Sequence, residues 1–193
     1  MENVLGSQIT RRKPIIPSNI FAMMIFVITE VMFFIGLISS FLVIRKDRGG
    51  WELPNNITLP VAMTGVNTFI LLLSGVFLFL AAKKYSKTDV STSSKLVLVS
   101  SLLGLTFVAI QGYEWVSLMS YGLTVKSGIF SALFFLIIGS HGAHALIGAF
   151  VLLYGYVNLK KGHLGINGIY ILQIFWFFIV GVWPLLYGLV YFS

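Results

Sequence analysis

The sequence predicts an all-α integral membrane protein with five transmembrane helices, a cytoplasmic N-terminus and a periplasmic C-terminus. Of its 193 residues 58% are hydrophobic and only 10% charged, and a mean hydropathy of +0.95 leaves too little polar surface for a soluble domain. Five runs, roughly 20–44, 60–82, 96–115, 127–157 and 169–192, each approach or exceed the length that a bilayer-spanning helix needs. The 13 Lys and Arg fall in short clusters between those runs.

The first run follows "MENVLGSQITRRKPIIPSN", so residues 1–19 form a basic N-terminal segment that faintly resembles a secretory signal. The run is too long for one and no small-residue cleavage site ends it, so it reads as a retained helix. Glu30 lies ten residues into it. A carboxylate at that depth costs several kcal/mol on insertion scales, roughly 3, so it is expected to be neutral or hydrogen-bonded to another helix. Two roles suit it: a polar tie between helices, or a part in proton movement.

In the second run, "NTFILLLSG" sets Asn67 and Thr68 to hydrogen-bond across helices, and Ser74 with Gly75 to allow close approach. The third run ends in "QGYEW", where Glu114 beside Tyr113 and Trp115 is expected to be an interfacial anchor whose acid reaches water or a loop partner. The fourth is longer than a span requires, so it tilts or projects beyond the hydrocarbon. Within it, "GSHGAHALIGA" places His141 and His144 on one helical face and supplies small residues, among them Gly142 and Gly148, for helix contact. The fifth is rich in aromatic rings, and Trp115, Trp176 and Trp183 are expected at lipid or at the membrane interface.

Loop charge orients the chain. Arg11, Arg12, Lys13, Lys83, Lys84, Lys87, Lys95, Lys160 and Lys161 share one side, against Arg45, Lys46, Arg48 and Lys126 on the other. The richer side is read as cytoplasmic. The net charge of +7 therefore reflects basic loops, and no motif points to nucleic acid.

Cysteine is absent, which excludes disulfides and thiolate metal sites. No P-loop, GxSxG or HExxH motif appears. His141 and His144 sit one turn apart on one helix and cannot ligate a haem from both faces. With one further histidine, His163, in a loop, the pair is expected to be hydrogen-bonded and free of metal.

These stretches resemble subunit III of the haem–copper respiratory oxidases. "TEVMFFIGLISSFLVIR", "NTFILLLSG", "QGYEW", "GSHGAHALIGAFVLL" and "LQIFWFFIVGVWPLLYGLVYF" follow in the family's order from about residue 20 onward. The resemblance implies a non-redox subunit of a proton-pumping terminal oxidase that reduces oxygen to water. Such a subunit packs directly on subunit I beside subunit II, binds phospholipid and supports proton uptake, with haem and copper held in partner chains. It also implies the short five-helix form of a bacterial inner membrane.

By the same resemblance Glu30 matches the family's buried carbodiimide-reactive glutamate, Glu114 its acid after the third span, and His141 and His144 the histidines of its HGxH segment. One departure stands out: where the family has His and Asp between the terminal tryptophans, this chain has Phe177 and Val180. Two alternatives remain open. One is a subunit-III-like protein of a quinol oxidase or nitric oxide reductase. The other is an independent proton-coupled transporter, although the inverted repeats and broken helices common in transporters are not evident.

Overall fold

The computed structural model describes residues 17–48, 60–86 and 89–192. The expectations for most of the N-terminal segment and for Lys87 fall outside these residues. Five helices account for nearly all the rest: α1 Ser18–Asp47, α2 Val61–Tyr85, α3 Val90–Ser120, α4 Ile129–Lys160 and α5 Ile166–Tyr191. All five are long and apolar enough to cross a membrane. The third exceeds its predicted bounds most, because its first turn is polar and hydropathy alone does not mark it. Asp89 caps that turn instead, its carboxylate accepting the Thr92 N–H at 3.0 Å.

The other ends follow equally local rules. At the end of α3, Leu123 N–H donates to Leu118 O and Gly122 N–H to Met119 O. At the end of α4, His163 N–H donates to Asn158 O and Gly162 N–H to Leu159 O. This Schellman pattern needs a left-handed residue, which glycine provides at Gly122 (φ 94°) and Gly162 (φ 72°).

Helices α2 to α5 close into a ring, each packed on its chain neighbour and α5 returning to α2; α1 stands outside it, leaning on α5 and to a lesser extent on α4. Lipid tails are as apolar as leucine, so such a ring is held by close packing and interhelical hydrogen bonds rather than by hydrophobic exclusion. Both are visible along α5. Trp176 and Trp183, seven residues and two turns apart, point into the ring and are fully buried. The Trp176 indole N–H donates to Ser74 Oγ at 3.0 Å and that of Trp183 to Thr68 Oγ1 at 2.8 Å.

Glycines make room for Trp176. A Cβ on Gly104 of α3 would stand 2.5 Å from its ring, and one on Gly148 of α4 would stand 2.9 Å away. A ladder of serines completes the ring: Ser93 Oγ donates to Ala81 O, Ser100 Oγ to Ser74 O and Ser101 Oγ to Ala149 O, each at 2.8 Å.

Trp176 and Trp183 therefore depart from the expected lipid or interfacial placement. Their rings fill the centre because α2 offers a hydroxyl to each indole and α3 and α4 offer glycine beside Trp176. Trp115 is half-buried, edge-on to Phe135 and close to Gly139. Gly142 also departs from expectation: a Cβ there would meet nothing within 4 Å, so this glycine makes no close helix contact.

Candidate functional site

Two carboxyl groups lie well inside the helices, Asp47 being the last residue of α1, and the bundle treats them differently. Glu30 falls near the middle of α1 and His144 near the middle of α4, where the two helices face each other. His144 Nε2 stands 2.9 Å from Glu30 Oε2, and His144 Nδ1 stands 2.7 Å from the backbone oxygen of Ser140 one turn earlier.

That second contact determines the tautomer. A carbonyl oxygen only accepts, so Nδ1 carries a proton and donates it to Ser140 O. A bare Nε2 facing a bare carboxylate would then set lone pair against lone pair, so one proton lies between Nε2 and Oε2. Whether it rests on oxygen or on nitrogen, the pair as a unit carries no net charge, which is what a group at bilayer depth requires.

The pair is not sealed, its side chains being 22% and 19% exposed for His144 and Glu30. Aromatic rings flank it: Phe34 lies edge-on to His144 at 5.4 Å, with Phe33 and Phe178 at 6.3 and 6.4 Å.

His141, one turn away, is enclosed and shares only the Phe34 ring with the pair. It lies over the Trp183 indole at 4.9 Å, with Phe107 and Phe34 presenting their rings edge-on. The sequence places both histidines on one face; the structure assigns one to the carboxylate and the other to the aromatic core. Among the described residues no three His, Cys, Asp or Glu side chains gather into a metal-ligand set.

Glu114 departs from its expected role as an interfacial anchor, since its side chain is buried rather than reaching water or a loop. Thr64 Oγ1 lies 3.1 and 3.0 Å from its two oxygens, and Gln111 Nε2 donates to Oε2 at 2.9 Å and to the Tyr191 hydroxyl at 3.2 Å. Its neighbour Tyr113 takes the outward place instead. Here the acid turns in and the phenol out.

The residues expected to join helices take up specific contacts. Asn67 Nδ2 donates to Phe107 O at 3.1 Å, Thr68 and Ser74 receive the two indoles, and Gly75 faces Val180, whose Cγ1 would lie 3.3 Å from a Cβ there. Val180 is thus an apolar filler against α2, while Phe177 is partly exposed. Sequence reasoning missed Thr64, Gln111, Tyr191 and the α3 serines. Gln111 was within reach, standing three residues before Glu114 and hence on its face.

The comparisons agree with this architecture. The family model described as cytochrome c oxidase subunit III matches residues 12–193. The cytochrome c oxidase subunit 3 of Rattus norvegicus is 30% identical over 188 residues, covering 92% of this chain and 71% of the relative. That of Thermostichus vulcanus is 27% identical over 178 residues, covering 90% and 86%. The quinol oxidase subunit 3 of Bacillus subtilis (strain 168) is 28% identical over 176 residues, also covering 90% and 86%. With nearly its whole length matched and its five apolar helices in place, this multi-pass membrane chain belongs to the cytochrome c oxidase subunit III family of the haem–copper oxidases.

Proposed function

We propose that this chain is a non-redox accessory subunit of a proton-pumping terminal oxidase in a bacterial inner membrane, with its N-terminus cytoplasmic. It docks on subunit I, with subunit II in the same complex, and its outward apolar faces bind phospholipid. Electron transfer takes place on haem and copper in those partner chains. The observation that carries this reading is the Glu30–His144 contact of 2.9 Å, a carboxyl–imidazole pair that remains partly open at the edge of the bundle. A group of that kind suits support of proton uptake and has no use in electron transfer.

The test is purification of the tagged full chain with whatever accompanies it. Haem is expected to co-elute. The Glu30→Ala complex is expected to retain normal haem spectra while losing activity sooner during turnover or taking up protons more slowly. A correctly assembled Glu30→Ala complex that lacks haem or copper contradicts a non-redox role, and a chain that elutes alone and colourless points to the transporter reading.

The similarity to the Bacillus quinol oxidase subunit supports a second reading, in which the role is the same and the donor is a quinol. A copper-binding subunit II in the purified complex favours cytochrome c as donor.

A further inference from the structure

The hydroxyl of Thr64 carries a single proton and faces three carbonyl or carboxyl oxygens, with the Tyr191 hydroxyl also beside it. Pro60 O, at the N-cap of α2 one turn back, lies at 3.0 Å, and the Glu114 oxygens lie at 3.1 and 3.0 Å. Pro60 O is a carbonyl and can only accept. If Glu114 were a bare carboxylate, one hydroxyl proton would have to serve three acceptors, and a full negative charge would be buried with Thr64 and Gln111 as its donors.

Among the described residues no Lys, Arg or His lies within salt-bridge distance of Glu114. The elements around it present Thr64 from α2, Gln111 from α3 and Tyr191 from α5, with Tyr187 and Phe134 of α4 against the Tyr191 ring. The ionisable groups facing the acid are therefore phenols.

We propose that Glu114 is held as a neutral carboxylic acid and is a second proton-binding site of this chain, separate from the Glu30–His144 pair. A proton on Glu114 Oε1 removes the buried charge and lets Thr64 accept on one side and donate on the other, leaving Oε2, 3.0 Å from Thr64 Oγ1, as the neutral acid's carbonyl oxygen. The acid donates to Thr64 Oγ1 at 3.1 Å, Thr64 donates onward to Pro60 O at 3.0 Å, and Oε2 accepts from Gln111 Nε2 at 2.9 Å.

Turning the Gln111 amide over does not remove the requirement. It would set an amide oxygen 2.9 Å from Oε2, and that contact too calls for a proton on the acid. The site lies near the end of the bundle where α2 begins and α5 finishes, whereas Glu30 lies at mid-helix. The chain thus holds protons at two depths, one shared with an imidazole and one with a hydroxyl.

Infrared difference spectroscopy on the purified complex at neutral pH tests this. The Glu114→Gln complex, compared with wild type, is expected to lack one protonated-carboxyl C=O band, a band that shifts in D2O and persists in Glu30→Gln. Identical spectra for wild type and Glu114→Gln in that region overturn the proposal. Should Glu114→Gln fail to assemble, Thr64→Val takes its place. Loss of the hydroxyl acceptor is expected to move the band to higher frequency, and an unmoved band overturns the proposal equally.

Discussion

Glu30 on α1 and His144 on α4 meet at 2.9 Å, and the Ser140 carbonyl on the far side of the imidazole obliges them to share one proton. The outlying helix α1 thereby gains a polar tie to the ring. Interhelical hydrogen bonds within membranes are worth about 0.6–2 kcal/mol. Single Glu30→Ala and His144→Ala changes are expected to destabilise the chain by that order, and the double variant by less than their sum. Unfolding of the four proteins in mixed micelles measures the coupling; strict additivity contradicts the shared proton.

The slot around Trp176 separates one glycine from another. Gly104→Leu or Gly148→Leu drives a side chain into the indole, and overpacking of this kind costs about 1–3 kcal/mol. Gly142→Ala meets open space and is expected to lie within about 0.5 kcal/mol of wild type. Thermal unfolding of purified variants checks the contrast. Equal losses at Gly142 and Gly148 would mean that small residues act in this helix through something other than close approach.

Trp183 donates to Thr68 at 2.8 Å across the α2–α5 contact. Trp183→Phe keeps an aromatic ring beside His141 and Phe107 but leaves Thr68 without its donor. A loss of about 1–2 kcal/mol is expected, combining the hydrogen bond with the smaller ring. Thr68→Val also strands the indole N–H and is expected to cost at least as much, read from the same unfolding curves.

Asp89 introduces a pH dependence at one helix end. The Thr92 backbone N–H, with help from the Thr92 hydroxyl, holds the Asp89 carboxyl below the ordinary aspartate range. A lowered folded value means that the ionised form is the one favoured by folding. The cap therefore contributes fully above the ordinary aspartate range and is lost as pH falls through the lowered folded value. Hydrogen exchange at Thr92 and Ser93 is expected to quicken, relative to the intrinsic rate, across that acid window. In Asp89→Ala it is expected to be faster at neutral pH and to show no such step.

Five spans, their order and their approximate ends were legible because hydropathy is a local property and a bilayer imposes one length on every crossing helix. The Schellman ends at Gly122 and Gly162 and the cap at Asp89 rest on similarly local chemistry. The polar residues were legible as sites but not as partners. His141 and His144 read alike as two imidazoles on one face, and only the approach of α1 gave His144 a carboxylate and left His141 against Trp183. Glu114 read as an anchor because its neighbours are aromatic, but its inward turn depends on Thr64 and Tyr191, which lie 50 residues before it and 77 after it in the numbering.

What the sequence by itself determined is a membrane chain of five helices with two acids and two histidines well inside them, away from the helix ends. What the tertiary structure alone decided is which acid shares its proton with an imidazole and which with a hydroxyl. It also turned the two terminal tryptophans from lipid-facing rings into the pins of the bundle. The reason is that a buried polar atom is satisfied by whatever lies within about 3 Å, and that neighbour comes from another helix.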